Sequence, residues 1–335
     1  MLFEGRYGGN VYRPIGMEWH HEGFWAVYPH PDTARQFLSF DQGYRPVDGT
    51  PPLNLLVETN NARMDQQEVF YCRDIDSDQV NKAITLDTFK TMPIDIVIAS
   101  IPAHIEPFKR LIREYKPNAK LIFQIGNAWS ADVEGVQNVM ASAIVPEVPP
   151  TINFVEYHQE FDLRIFAKMA PVPDKVITSL INVHHDMPDY SLFLHLEKAM
   201  PEWKFFSYGG QGRNGSMNGS RAVAEAIRAS RFIWHVKAGG DGYGHILFNT
   251  AAMGRPCIVK KSYYAGKLGE KLLIDGETCI DIDGLDHSEI IAKIEKYNEQ
   301  GAYEQMCKNV YQNFKQNVNF ADDFNRICNF IAELQ

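Results

Sequence analysis

Short apolar runs return along this chain with amphipathic stretches between them, and that rhythm constrains its fold most. In the N-terminal half, FWAVY (24–28), LNLLVE (53–58), IDIVIASI (94–101), KLIFQIG (120–126) and VMASAIV (139–145) read as buried strands bounded by Pro, Gly, Asn or Asp. Between two of them, AHIEPFKRLIREYKP (103–117) places Ile105, Phe108, Leu111 and Ile112 at helical spacing, and Pro117 ends the run. Strand, helix and strand in so short a span indicate a parallel βαβ unit. After the proline-bearing break APVPDK (170–175), the alternation restarts. VITSLINV (176–183), KFFSYG (204–209), RFIWHV (231–236), PCIVKK (256–261) and TCIDID (278–283) read as strands. YSLFLHLEKAMP (190–201), SRAVAEAIRAS (220–230) and HILFNTAAMG (245–254) read as the helices between them. From Ser288 the tail is helical nearly to Gln335, with breaks near Gly301 and Asn317. The expected fold is α/β, with two doubly wound, Rossmann-like domains in series. Residues 1–170 would form the first and 171–300 the second, with 301–335 a helical tail.

Composition narrows the function. At 335 residues with 45% hydrophobic and 22% charged residues, the chain can build two cores. No apolar run reaches the roughly 18 residues of a membrane-spanning helix. The opening MLFEGRYGGN lacks a basic start followed by an apolar stretch, so no secretory signal is expected. Five cysteines, at 72, 257, 279, 307 and 328, form no C-x-x-C pair, which argues against a disulfide framework or a structural zinc site. A cytoplasmic setting follows as the expectation.

The formal net charge of −9 argues against extended nucleic-acid binding. It is unevenly spread: residues 1–170 hold 22 acids and 15 bases, a net of −7. Residues 204–271 hold 11 bases and 3 acids, a net of +8, and residues 272–304 hold 9 acids against Lys293 and Lys296. That basic window suits a small polyanion such as a nucleotide diphosphate.

Open parallel sheets bind ligands beyond the carboxyl ends of their strands. Within the basic window, the strand RFIWHV runs into Gly239, Gly240, Asp241, Gly242, Tyr243 and Gly244 before a helix starts. Such a turn lets backbone N–H groups approach a ligand, and the helix N-terminus favours an anion. Lys237 between strand and glycines, Arg213 in the loop SYGGQGRNGSMNGS (207–220), and Lys260 or Lys261 after the next strand are candidate partners of that anion. His104, where strand gives way to helix, is a candidate for proton transfer near neutral pH. Asn127 and Trp129 follow the strand KLIFQIG in an equivalent loop. His184, His185 and Asp186 invite a metal reading, but adjacent histidines on a strand face opposite ways, so no metal site is expected.

The segment 241–256 resembles the E-G-F-G-x-x-x-x-E-A-M-A-x-G-x-P motif of retaining glycosyltransferases of the GT-B class, the E-x7-E or family 4-like group. Asp241 and Asn249 fall on the two glutamate positions, and Gly254 and Pro256 follow. Downstream, Asp275, Gly276, Glu277 and Thr278 look like the acidic D-G-x-T turn of that group. The resemblance covers roughly 175–300, and the N-terminal half by architecture alone. It implies the GT-B fold, with two domains facing a cleft and the helices of 301–335 packing back on the first domain, and transfer of a sugar from a nucleotide-diphosphate sugar, such as a UDP-sugar, without a cofactor or metal.

Carried over by position, Asp241 would lie by the donor sugar and Asn249 would replace the glutamate that holds the ribose hydroxyls. Gly240, Gly242, Tyr243, Gly244, His245 and Thr250 would complete the donor site. Asp241, His104 and Lys237 are the catalytic candidates. Gly8, Gly9 and His21 resemble the glycine loop and following turn that face the acceptor in that class, and Asn127 and Trp129 would join them. Asn249 lacks the charge of the family's glutamate, and the family's Arg and Lys pair after the first strand of the second domain is not evident. These departures keep open a non-catalytic nucleotide- or sugar-binding protein and a nucleotide-sugar epimerase. The acceptor is open too, a modified DNA base included.

Overall fold

The computed structural model describes residues 2–3, 25–27, 44–46, 69–74, 80–84, 90, 94–99, 105–125, 135–143, 149–217, 219–239 and 243–334. It divides into two units, one of residues 1–160 with 320–335 and the other of residues 161–319.

Among its described residues the first unit holds two sheets. One is all parallel, in the order β1 (Leu2–Phe3), β6 (Ile96–Ala99), β7 (Lys120–Ile125), β8 (Asn138–Ala141) and β9 (Asn153–Glu156). The other has four strands, in the order β2 (Trp25–Val27), β5 (Val80–Ile84), β4 (Val69–Asp74) and β3 (Tyr44–Pro46). It is mixed, with β2 parallel to β5 and the other pairs antiparallel. Helix α1 (Ile105–Tyr115) links β6 to β7 as its spacing predicts. Phe108, Leu111 and Ile112 pack with Val97 and Ala99 of β6, while Arg110 and Arg113 stay outside.

The second unit contains one parallel sheet in the order β11 (Lys204–Ser207), β10 (Val176–Ser179), β12 (Phe232–Trp234), β13 (Cys257–Val259) and β14 (Cys279–Asp281). Every residue of β10, β12 and β13 is buried, as strands covered on both faces must be. The connecting helices are α2 (Tyr190–Ala199), α3 (Gly219–Ala229), α4 (His245–Ala252), α5 (His287–Asn298) and α6 (Gln300–Asn317). Ala224 and Ile227 of α3, Ile233 of β12, Leu247 of α4 and Val259 of β13 meet in one core with Phe166, from the segment before the sheet. Truncating Ile227 or Ile233 to Ala would cost roughly 2–5 kcal/mol.

The last helix, α7 (Phe320–Glu333), belongs to the first unit. Its Ile327 and Phe330, with Leu334, cover Ile98, Ile122 and Met140 of the parallel sheet. A buried carboxylate fixes it. Asp323 accepts from the His158 backbone N–H at 3.3 Å, meets His158 Nδ1 at 2.9 Å, and pairs with Arg326. The helical tail breaks at Glu299 and at Val318, near Gly301 and Asn317 as the sequence suggests.

Candidate functional site at the carboxyl edge of the second sheet

The strand order fixes where to look. From β10 the chain steps outward to β11, then crosses to β12 on the other side of β10. The order therefore reverses between β10 and β12, and a crevice opens there beyond the carboxyl ends. The described segments that follow these strands there are 180–189 after β10, and 235–239 with 243–244 after β12.

The described ends of the glycine-rich segment lie at this position. Gly240, Asp241 and Gly242 are outside the described residues, while the flanking Gly239, Tyr243 and Gly244 are within them. Gly244 is the N-cap of α4 at φ 81°, a left-handed conformation that favours glycine. Tyr243 is buried and stacks on Phe248 at 4.2 Å between ring centroids. Lys267 ties the turn from the other side, donating to the carbonyls of Gly239 and, at 2.9 Å, Tyr263. Lys237 is half-buried, three residues beyond Trp234. His245, half-buried, is the first residue of α4 and meets Tyr243 edge-on at 5.0 Å.

Asn249 is 7% exposed, on the second turn of α4, and its Oδ1 makes no hydrogen bond. A buried amide oxygen left so costs about 1–3 kcal/mol. Thr250, the next residue, is held within the core. It is fully buried, donates to the carbonyls of Ile246 and Leu247 at 2.8 and 3.0 Å, and lies 3.1 Å from Cys257 Sγ.

Two expected anion partners are already engaged by carboxylates. Lys260, just after β13, donates to Asp189 Oδ1 at 2.5 Å, and Tyr263 Oη donates to Asp189 Oδ2 at 2.8 Å. Burial pulls the Lys260 pKa down, but the Asp189 hydrogen bond and charge push harder and leave it raised. Asp189 stands at the N-cap of α2 yet makes no cap bond, because both its oxygens are taken. Arg213 makes a two-pronged pair with Glu197 at 2.5 Å on each arm and donates to the Phe205 carbonyl at 2.7 Å. Lys261 is half-buried, and its backbone N–H donates to Asp281.

The sequence reading had no role for Asp189, Tyr263, Lys267 or Glu197. Pro188-Asp189 before a helix signals a cap, but not which distant lysine would claim the carboxylate.

The loop after β10 departs from the strand that the apolar run VITSLINV suggests. The strand stops at Ser179, and His184–Asp186 form a turn of 3-10 helix. His184 is fully buried, its Nδ1 lies 2.9 Å from Ser207 Oγ, and its Nε2 makes no hydrogen bond. Burial, then the charges of Arg213 and His235, lowers its pKa from 6.5 to about 4. His185 points to solvent, 3.7 Å from Asp186. Among the described residues no group of three His, Cys, Asp or Glu is placed to hold a metal ion. None of their helices is long and apolar enough to cross a membrane.

The D-G-x-T turn is bonded to itself and to α5. Thr278 Oγ1 donates to the Leu272 carbonyl and accepts from the Ile274 N–H, both at 2.7 Å. Asp275 accepts from the Asp281 N–H at 2.9 Å and from Lys293 at 2.8 Å. Asp275 thus serves the turn and its tie to α5. Gly8, Gly9, His21, His104, Asn127 and Trp129 lie outside the described residues.

No family model and no curated protein matches the sequence. Solved structures do match in shape. A glycosyltransferase from Rickettsia africae ESF-5 aligns with a TM-score of 0.59 at 10% identity, over 74% of this chain and 79% of its own. Sucrose-phosphate synthase from Thermosynechococcus elongatus gives 0.57 at 10% identity, over 76% and 83%. Anabaena Alr3699/HepE, in complex with UDP and glucose, gives 0.55 at 10% identity, over 74% and 79%. With two parallel sheets and these likenesses, the chain has the α/β fold of GT-B glycosyltransferases.

Proposed function

We propose that this chain is a glycosyltransferase that moves a sugar from a nucleotide-diphosphate sugar to an acceptor hydroxyl, with retention of anomeric configuration and without a resident metal. The observation that carries the reading is Asn249. Its buried, unpartnered Oδ1 sits on the helix that starts from a glycine turn at the reversal of strand order. A ligand hydroxyl donating there would relieve the cost of the unmet acceptor, and the ribose of the donor supplies one. The N-terminal end of α4 would face the diphosphate, and the positive end of its dipole would offset the departing charge. In the reaction the bond from the anomeric carbon to the β-phosphate oxygen breaks, and a bond from that carbon to the acceptor oxygen forms on the same face. The acceptor proton leaves with the diphosphate. Asp241 and Lys237 act beside the sugar and the leaving group, and His104 serves the acceptor side. Lys260 acts through Asp189 and Tyr263, as part of the wall of the site. That HepE is seen with UDP-glucose supports a uridine nucleotide as the first donor to try.

The test is thermal denaturation with UDP, GDP, ADP and their sugars, followed by donor hydrolysis in EDTA. A nucleotide at one hundred times its Kd adds about 2.7 kcal/mol. Asn249→Leu removes the unmet oxygen, so the ligand-free protein should melt no lower than wild type while its nucleotide-induced shift collapses. Failure of every nucleotide to shift the melting point would overturn the reading. Binding without turnover would point to a non-catalytic binding protein, and a free epimerised sugar nucleotide to an epimerase.

A further inference from the structure

Outside the strand-end site, the second unit carries an open groove of about 390 Å³ lined by Asp162, Arg164, Ile165, Arg221, Glu225 and Arg228. All six residues lie on the 162–165 turn or on α3, and none on the glycine turn. We propose that this groove is a second binding site, for a small phosphate monoester that also carries hydroxyl groups.

The floor is fixed by packing. Phe166 joins Ala224 and Ile227 of α3 in the core, with Ile165 packed against them. Arg228 spans the gap by donating to the Ile165 carbonyl at 2.6 Å. On α3, Arg221, Glu225 and Arg228 recur at spacings of four and three, so they share one face.

The charges on that face are divided unequally. Asp162 is committed to Arg164, taking Nε at 2.9 Å, Nη2 at 2.8 Å and the Arg164 backbone N–H at 2.8 Å. Those hydrogen bonds hold the Asp162 carboxyl down at about 2, so it stays ionised. Among the described residues the Arg228 guanidinium meets only the Ile165 carbonyl. Arg221 is exposed and, among the described residues, makes no hydrogen bond or ion pair, and neither does Glu225, one turn further on. Two guanidiniums therefore line the groove without a carboxylate of their own, and their forked donors match phosphate oxygens. Glu225 can accept from a hydroxyl of the same ligand but repels a bare anion. This selects an ester with hydroxyls over a larger polyanion. The inference stands apart from the proposed transfer reaction, since none of these residues serves it.

The experiment uses the full chain. Inorganic phosphate and glycerol 3-phosphate are titrated by calorimetry and by NMR of the arginine Nε–H groups, with and without saturating UDP. Both should bind saturably in either condition, moving the Arg221 and Arg228 signals, with glycerol 3-phosphate the tighter. Arg221→Gln should weaken binding roughly tenfold, the loss of one charge-assisted contact. Glu225→Gln should strengthen inorganic phosphate roughly threefold by removing an opposing charge. An unfolded protein cannot mimic that gain. Arg113→Gln, on α1, should leave binding unchanged. Absence of saturable binding, loss of binding when UDP is present, or identical affinities in wild type and Arg221→Gln would overturn the proposal. If no UDP binds at all, the titration without it still decides.

Discussion

Lowering the pH should unfold the second unit through one residue, His184. Its ring is fully buried at the end of β10, between Ser207, Tyr190 and Phe193. The folded protein protonates it only near pH 4, whereas the unfolded chain does so near 6.5. Below 6.5 the unfolded state holds the extra proton, so stability falls as pH drops, until the folded pKa is reached. At about 1.4 kcal/mol per pH unit, the full loss is about 3 kcal/mol, and about 2 kcal/mol is gone by roughly pH 5. Above 6.5 the contribution is flat. The assay is urea unfolding followed by tryptophan fluorescence between about pH 7 and pH 4.5. Trp234 is a built-in reporter, its ring 5.5 Å from Phe193, which touches His184. His184→Leu will cost stability at neutral pH, because Ser207 Oγ loses its partner, yet its acid slope should be shallower by the same 2 kcal/mol. Equal slopes in variant and wild type would refute the assignment.

Thr278→Val should destabilise by about 1–3 kcal/mol, since it strips two buried bonds from the turn before β14, and calorimetry should show a midpoint lower by roughly 5 °C. Gly209→Ala should be worse, and low yield of folded protein on expression would show it. The glycine sits at φ 146°, and a Cβ there would lie 2.6 Å from the Asn182 Cα. Iodoacetamide with peptide mapping should label the exposed Cys328 more than about a hundredfold faster than Cys257, Cys279 or Cys307, all three buried. Burial lifts the Cys257 thiol to about 12 against a small opposing effect from Thr250, so it scarcely ionises.

The second unit was readable because its strands are buried on both faces. FIW in β12 and CIV in β13 are continuous apolar runs, and such runs stand out from helices by length and by flanking Gly or Pro. In the mixed sheet of the first unit, β2 was legible as FWAVY, but β4 and β5 hid because VFYCRD and VNKAI interleave polar residues. In the parallel sheet β9, NFVE, hid because one residue of its four is buried. The run LNLLVE (53–58) lies outside the described residues. At the site, the glycine turn and the helix beginning at His245 were legible because both are local signals. The partners of Lys260 and Arg213 were not, since Asp189 lies 71 residues away and Glu197 lies 16 away. Charge counting registered the bases of the window and missed the carboxylates folded against them.

The placement of α7 bears on how the protein is made. A ribosome delivers β6, β7 and β8 long before Ile327 and Phe330, which cover them. The first sheet must wait with one face bare while the whole second unit is synthesised and folds, at roughly 5–20 residues per second. The half that begins the chain is therefore the later to close, and the half in the middle can mature first. During those seconds Ile98, Ile122 and Met140 present an apolar surface to any chaperone within reach. A nascent chain halted before Phe320 should hold a finished second unit beside an unfinished first.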